Sequence, residues 1–398
     1  MAEIANTAAM HRTGVRRPTS HHTVVAPLSA VASADWQALA DRAAEPNGYF
    51  LPGWMTAVDA SARDRSDVAV LRAWHGGDSA AGLAGLVPVV SLWRGYRIPL
   101  PAWVSADPYG TLGTPLLDRD SPDAAAADLL RQARASGAHA LILRDVALDG
   151  AAMAGLSRAL ALEDLRPRLL QRHERACLDA TRDPEELLKD ALGAKKLKEL
   201  RRQRNRLAEH GAVSFTVART PAEVAAALDT FLALEGSGWK AKRGTALRQH
   251  DGDLAFIRRA THSLAQRDQC EIVTLRAGDD AVAAAVVLRH LDRAFYFKLG
   301  VDERFSKLSP GVQLTLEVTR HLCADPTITS ADSTAAPGHP MIDPIWRGRL
   351  AIGDVLIPLR RRDPIPATIH AALMLRQKIR EPLRRAVRLL RKRQEKAT

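Results

Sequence analysis

Three strand-length apolar runs follow one another in the second half of this chain, and they limit its fold more than any other stretch. Residues 270–277 and 281–290 are separated only by Gly278–Asp279–Asp280, and residues 293–300 (RAFYFKLG) follow after two intervening residues. Runs of this length bounded by turn residues pair as adjacent antiparallel strands. Ser309, Pro310 and Gly311 then open a helical segment that reaches Cys323, and residues 327–332 read as another strand. Strand, helix and strand in succession describe a sheet covered by helices.

The first half repeats this order more loosely. Residues 36–44 and 53–62 are helix-like, 67–74 (DVAVLRAW) alternate as a strand does, and 80–90 (AAGLAGLVPVV) form an apolar strand after Gly76 and Gly77. Residues 122–136 read as an Ala-rich helix behind Ser121, with Pro122 suiting its first turn. A buried-type strand (HALILRDV, 139–146) and a helix (151–163) follow. A second round starts at Thr181 with a helix to residue 211, broken at Gly193, and a strand at 214–218. Thr220, Pro221 and Glu223 then spell a capped helix start, running to residue 235. A further helix covers 254–266. The expected class is α/β (α+β), as two mixed sheets each flanked by helices, with a boundary near residues 166–180. The 398 residues suit two domains with extensions. The division expected is a disordered lead-in over 1–21, a first domain over 22–168, a second over 169–361 and a basic helix over 362–398.

The net charge is +12 and the isoelectric point about 10.0, a balance that favours anionic partners. Charge is concentrated in two places. Lys195 to Arg206 (KKLKELRRQRNR) holds seven basic residues and one Glu, and residues 376–396 hold ten Lys or Arg against two Glu. Apolar residues in the tail fall at Leu373, Ile379, Leu383, Val387 and Leu390, close to helical spacing, so that helix either packs on the body or lies on an anionic membrane. Cys177, Cys270 and Cys323 form no CxxC pair, which argues against a disulfide framework and against a zinc site. Met1 to His21 is polar without an apolar signal region, and no run approaches the roughly 18 apolar residues of a membrane span. A cytoplasmic location is expected.

Four segments carry chemistry. A strand-to-helix turn with Pro and Gly leaves backbone N–H groups free at a helix start, where phosphate is held, although Ser309–Pro310–Gly311 also suits a plain helix start. Residues 330–349 (SADSTAAPGHPMIDPIWRGR) form a polar loop at a strand end, containing Asp332, His339, Trp346 and Arg349. The basic stretch with Lys195 and Arg202 is either a solvated face or a contact for a polyanion. Residues 234–247 (LEGSGWKAKRGTAL), with Trp239 and Lys240, are either a cleft-lining loop or a structural turn.

From residue 192 to 359 the chain resembles the CelD-type branch of GNAT acyltransferases, often labelled cellulose-biosynthesis proteins. The resemblance rests on KKLKELRRQRNRLAEHG, LALEGSGWKAKRGTAL, FYFKLGVDERFSKLSPGVQLTLEV and ADSTAAPGHPMIDPIWRGRLAIGDVLI. YFLPGWMTAV and YGTLGTPLL extend it more loosely into the first half. It implies tandem GNAT-like domains, similar to Fem-type aminoacyl transferases. The turn departs from the family's pyrophosphate pattern, Q/R-x-x-G-x-G/A, because Gly311 alone lies at the helix start.

The resemblance implies transfer of an acyl group from acetyl-CoA or another acyl-CoA to an amine or hydroxyl acceptor, without a metal. Lys307, Ser309, Gly311 and Val312 are the expected phosphate donors. Backbone at Lys298, Leu299 and Gly300 would meet the thioester. Asp332 and His339 are candidate bases and Tyr296 a candidate acid. Trp239, Lys240, Trp346, Arg349, Lys195 and Arg202 are candidate acceptor contacts. Two alternatives stand: a Fem-like transferase using aminoacyl-tRNA, and a non-catalytic GNAT-fold scaffold in exopolysaccharide or cellulose production.

Overall fold

The computed structural model describes residues 25–61, 68–77, 79–106, 109–237, 244 and 246–394, with side chains up to residue 379 in the last stretch. The expected lead-in over 1–21, together with Trp239 and Lys240, lies outside the described residues. In chain order the first half contains β1 (Ala26–Pro27), α1 (Ser33–Asp41), α2 (Pro52–Ser61), β2 (Ala69–Trp74), β3 (Leu83–Ser91), α3 (Leu92–Tyr96) and β4 (Ala102–Ser105). β5 (Leu116–Leu117), α4 (Pro122–Ala135), β6 (Ala140–Ala147) and α5 (Ala151–Ala161) complete it. β7 (Arg168–Asp179) leads into α6 (Pro184–Ala208), β8 (Val213–Ala218), α7 (Pro221–Ser237), α8 (Asp251–Ala265), β9 (Cys270–Ala277) and β10 (Asp280–His290). β11 (Arg293–Val301), α9 (Pro310–Cys323), β12 (Ser330–Asp332), β13 (Gly348–Pro358) and α10 (Ile365–Gln394) end the chain.

Local sequence explains most of these elements. Thr220 and Glu223 form the expected reciprocal cap of α7: the Glu223 N–H reaches Thr220 Oγ1 at 3.4 Å and the Thr220 N–H reaches Glu223 Oε2 at 3.1 Å. Gly193 interrupts α6 with φ 71° and ψ 162°, a conformation glycine adopts without strain.

The mixed, helix-flanked architecture is as expected, but the two halves share one sheet. Its 13 strands run β1-β2-β3-β4-β6-β13-β7-β12-β11-β10-β9-β8, with β5 beside β3. The stretch around 166–180, read from sequence as a boundary, is mostly strand β7 near the sheet centre. β13, from the far end of the chain, lies between β6 and β7 and joins the halves. Among the described residues all pairings are antiparallel except two: β4 with β6, and β11 with β12. These fall at matching places, each pair bridged by a helix, α4 in one half and α9 in the other. Parallel neighbours need such a crossover.

Packing also crosses the middle. Trp54 of α2 is fully buried, edge-on to Phe256 of α8 and Phe297 of β11, with both centroid distances 5.0 Å. Tyr49 meets Phe295 at 5.8 Å. His290, at the end of β10, accepts the Asn47 N–H on Nδ1 at 2.7 Å and pairs through Nε2 with the Ala40 carbonyl at 2.9 Å. Burial lowers its pKa to about 4, so the ring is neutral and Nε2 is the donor.

The halves differ where their parallel strands end. In the first half the connection from β4 to α4 folds back into the gap. Gly113 donates to the Asp145 carbonyl at 3.1 Å, Thr114 Oγ1 accepts from Ala147 at 3.1 Å, and Ser105 Oγ accepts from Arg144 at 2.9 Å. A side chain at Gly113 would strike the Arg144 carbonyl. A space of about 170 Å³ remains. In the second half the equivalent gap is open.

Candidate functional site

β11 and β12 pair over only three residues, Arg293 with Ser330, Ala294 with Ala331 and Phe295 with Asp332. β12 then ends while β11 continues to Val301. Two local features part them. The register between β10 and β11 slips between Val286 and Val287, leaving Phe297 as an extra residue on β11, and such a bulge bends a strand. On the other side Thr334 turns the chain away with φ 54°, an uncommon conformation for a β-branched residue. It is held there by its own N–H to Asp332 Oδ1 and by its hydroxyl to the Tyr296 carbonyl, both at 2.8 Å.

Into the resulting wedge points the start of α9. Ser309 is left-handed (φ 52°, ψ 51°) and Pro310 occupies the first turn. The N–H groups of Gly311 and Val312 have no carbonyl one turn earlier to bond, and they lie at the positive end of the helix dipole. A cavity of about 740 Å³ fills the wedge, bounded by Tyr296 to Leu299, the start of α9, Ser333 to Ala335, and His339.

Of the residues proposed from sequence, Tyr296, Lys298, Leu299, Ser309, Gly311, Val312 and His339 line this cavity. Their surroundings differ from one to the next. Lys298 is paired with Glu235 of α7 at 3.1 Å. That carboxylate is fully buried and also accepts the Leu247 N–H at 3.0 Å, so the Lys298 side chain is held by α7 while its backbone lies on the cavity wall. Gly311 is small because α9 packs closely on β11: an added Cβ would lie 3.1 Å from Leu299, 3.2 Å from Val301 and 3.3 Å from Met341. The Tyr296 hydroxyl is tied to Thr315 Oγ1 at 3.4 Å, and Thr315 in turn donates to the Gly311 carbonyl at 2.8 Å. Burial raises the Tyr296 pKa, which makes it a poorer acid. His339, partly exposed on the loop across the wedge, also bounds the cavity.

Other candidates lie elsewhere. Asp332 is fully buried and ion-paired with Arg175 of β7, itself 2% exposed. Its second oxygen accepts the Thr334 N–H, so it fixes the turn, and it is not among the residues that bound the cavity. Trp346 is core: fully buried, it donates to Thr319 Oγ1 at 2.9 Å. Arg349 is exposed and bonds the Trp346 and Gly348 carbonyls at 2.9 and 2.8 Å. Gly300 faces α7, where an added Cβ would meet the Glu235 nitrogen at 2.9 Å. Lys307 is exposed off the cavity wall. Lys195 and Arg202 lie on the exposed side of α6, which crosses α9 where Gln313 bonds the Leu200 carbonyl at 2.8 Å. Arg175, Thr334, Glu303 and Ser306 were not singled out from sequence. Ser306 and Glu303 line the cavity from the turn before α9. Only their closeness to Ser309 could have signalled them. Burial pushes the Cys177 and Cys323 thiols up to about 11, which leaves no reactive thiolate there.

Residues 194–337 match the family model of the acetyltransferase (GNAT) domain. This segment is similar to a GNAT-type acetyltransferase domain. It contains both parted strands, α9 and the N-terminal part of the loop carrying His339. The fold likeness extends beyond the GNAT-type segment. The C-terminal domain of a lysylphosphatidylglycerol synthetase described as putative, from Agrobacterium fabrum, is 15% identical with TM-score 0.52, over 86% of this chain and 96% of that one. FemX is 11% identical with TM-score 0.55, over 85% of this chain and 98% of its own. At such identities the likeness speaks for the fold. No curated protein sequence matches the chain.

Proposed function

We propose that the chain is an acyl-CoA-dependent acyltransferase whose donor site is the cavity between β11, β12 and α9. The observation that carries this reading is the coincidence of the open strand wedge, the uncapped start of α9 and the segment that matches the GNAT-type domain. The residues suit such a donor. Gly311 and Val312 N–H groups with the Ser309 and Ser306 hydroxyls would hold phosphate, as a helix start does without a glycine-rich sequence. The β11 edge left without a strand neighbour would receive the extended thioester arm and direct an N–H at its carbonyl oxygen. His339 would take the proton of the attacking amine or hydroxyl.

The acceptor we propose, following the CelD-type resemblance, is a polysaccharide or cell-envelope precursor in the cytoplasm. A second reading, aminoacyl-tRNA as donor, is favoured by one feature: α6 presents Lys195, Lys198, Arg201, Arg202 and Arg206 exposed beside α9. Activity distinguishes the readings. The purified chain would be given acetyl-CoA with amine and hydroxyl acceptors, and release of free CoA followed. Acceptor-dependent release that falls about 10²–10⁴-fold in His339→Ala, with donor affinity kept, is expected. A chain that binds tRNA with steep salt dependence and releases no CoA would replace the first reading with the second.

A further inference from the structure

Six large apolar side chains are exposed among the described residues, and three of them sit on two helices that touch. Leu375 and Ile379 of α10 are 60% and 54% exposed, and Trp93 of α3 is 52% exposed. The helices meet where Arg376 donates to the Tyr96 carbonyl and its guanidinium lies 5.7 Å from the Tyr96 ring centre. α10 is anchored by Ile369 and Leu373, both buried. At 3.6 residues per turn, Leu375 and Ile379 fall on a different side of the helix from that pair. In the sequence the four-residue spacing runs on through Leu383 and Val387. Arg94 and Arg97 flank Trp93 beside a surface hollow of about 510 Å³.

We propose that α10 and α3 form a docking surface for an anionic phospholipid bilayer. α10 lies in the headgroup plane, Leu375 and Ile379 enter the apolar boundary, and the basic residues of the two helices meet lipid phosphates. Charge complementarity argues for this occupant, since residues 376–396 carry ten Lys or Arg against two Glu. The uncovered apolar pair separates lipid from nucleic acid: a polyanion would neutralise the charge and leave Leu375 and Ile379 in water. No helix of the described residues is long and apolar enough to cross a membrane, which fits a helix lying on the surface.

The test is co-sedimentation of the full chain with vesicles of phosphatidylcholine alone and of phosphatidylcholine mixed with phosphatidylglycerol. Sedimentation with the mixed vesicles only, weakened by salt, is expected. Leu375→Asp with Ile379→Asp should lower it about tenfold or more, while circular dichroism and the melting temperature stay unchanged. Arg94→Glu with Arg97→Glu should lower it as well. The proposal is overturned if the wild type ignores anionic vesicles, or if the Asp pair sediments like wild type. Retention of tRNA in place of vesicles would overturn it too, as would a dimer that the Asp pair dissociates without any vesicle binding.

Discussion

Asp332 and His339 looked alike from the sequence, two polar residues on one loop, and the fold separates them. Asp332 neutralises a buried arginine and His339 faces the cavity. Asp332→Asn should therefore act on stability, costing roughly 3–5 kcal/mol because Arg175 is left buried without its counter-ion. Thermal or denaturant unfolding would measure this, and the pH profile of transfer should keep its shape. A profile that loses its acidic limb while stability is unchanged would restore Asp332 as a base. Burial is what sequence could not supply here. The partner of Asp332 lies 157 positions away, in a strand with no apolar signature. Trp346 was misplaced for the same reason, since its indole N–H finds Thr319 in the core. The start of α9, by contrast, was legible because Pro310, Gly311 and the preceding apolar strand are a local pattern.

Among elements, those of the second half that carry the site were readable, and the two that unite the molecule were not. β9, β10, β11 and α9 have turn residues at their ends and apolar interiors. β7 (RLLQRHERACLD) has several exposed charged residues, and β13 (GRLAIGDVLIP) includes two glycines, an aspartate and a proline. Each is a strand because the other, with β6 and β12, pairs with it, a case of tertiary context overriding propensity. Gly300 shows how tightly elements meet beside the site. A methyl there would press on the backbone of α7 at Glu235 and on the Phe231 carbonyl at 3.2 Å. Gly300→Ala should cost about 1–3 kcal/mol by pushing α7 from β11, read as a lower melting temperature. An unchanged melting point would mean that α7 is not held as close as described.

At the scale of the whole molecule, one sheet and a shared core make the halves interdependent. Residues 169–398 expressed alone lose β6 beside β13 and Trp54 beside Phe256, and should lack cooperative unfolding, whereas the full chain should melt in one transition. A fragment that folds cooperatively by itself would contradict this. Acid should act through His290 at the seam. Its folded pKa of about 4 lies below its ordinary 6.5, so the unfolded chain binds the extra proton between those values. Its contribution is complete above pH 6.5 and lost as pH falls towards 4, on the order of 3 kcal/mol in all. Asp354, raised to about 6 chiefly by burial, acts oppositely: its contribution is complete below 3.8 and lost as pH rises through 6. The two nearly cancel in the total, so the signature belongs to the difference between wild type and His290→Gln, which should grow in favour of wild type from pH 4 to 6.5. A difference independent of pH would remove His290 from the seam. The central claim is the placement of the acyl donor, and calorimetric titration of the full chain with acetyl-CoA tests it most directly, with Val312→Glu setting a carboxylate at the start of α9. Saturable binding to wild type, lost in a variant that still melts like wild type, is the predicted result; equal binding to both proteins, or none to wild type, would contradict it.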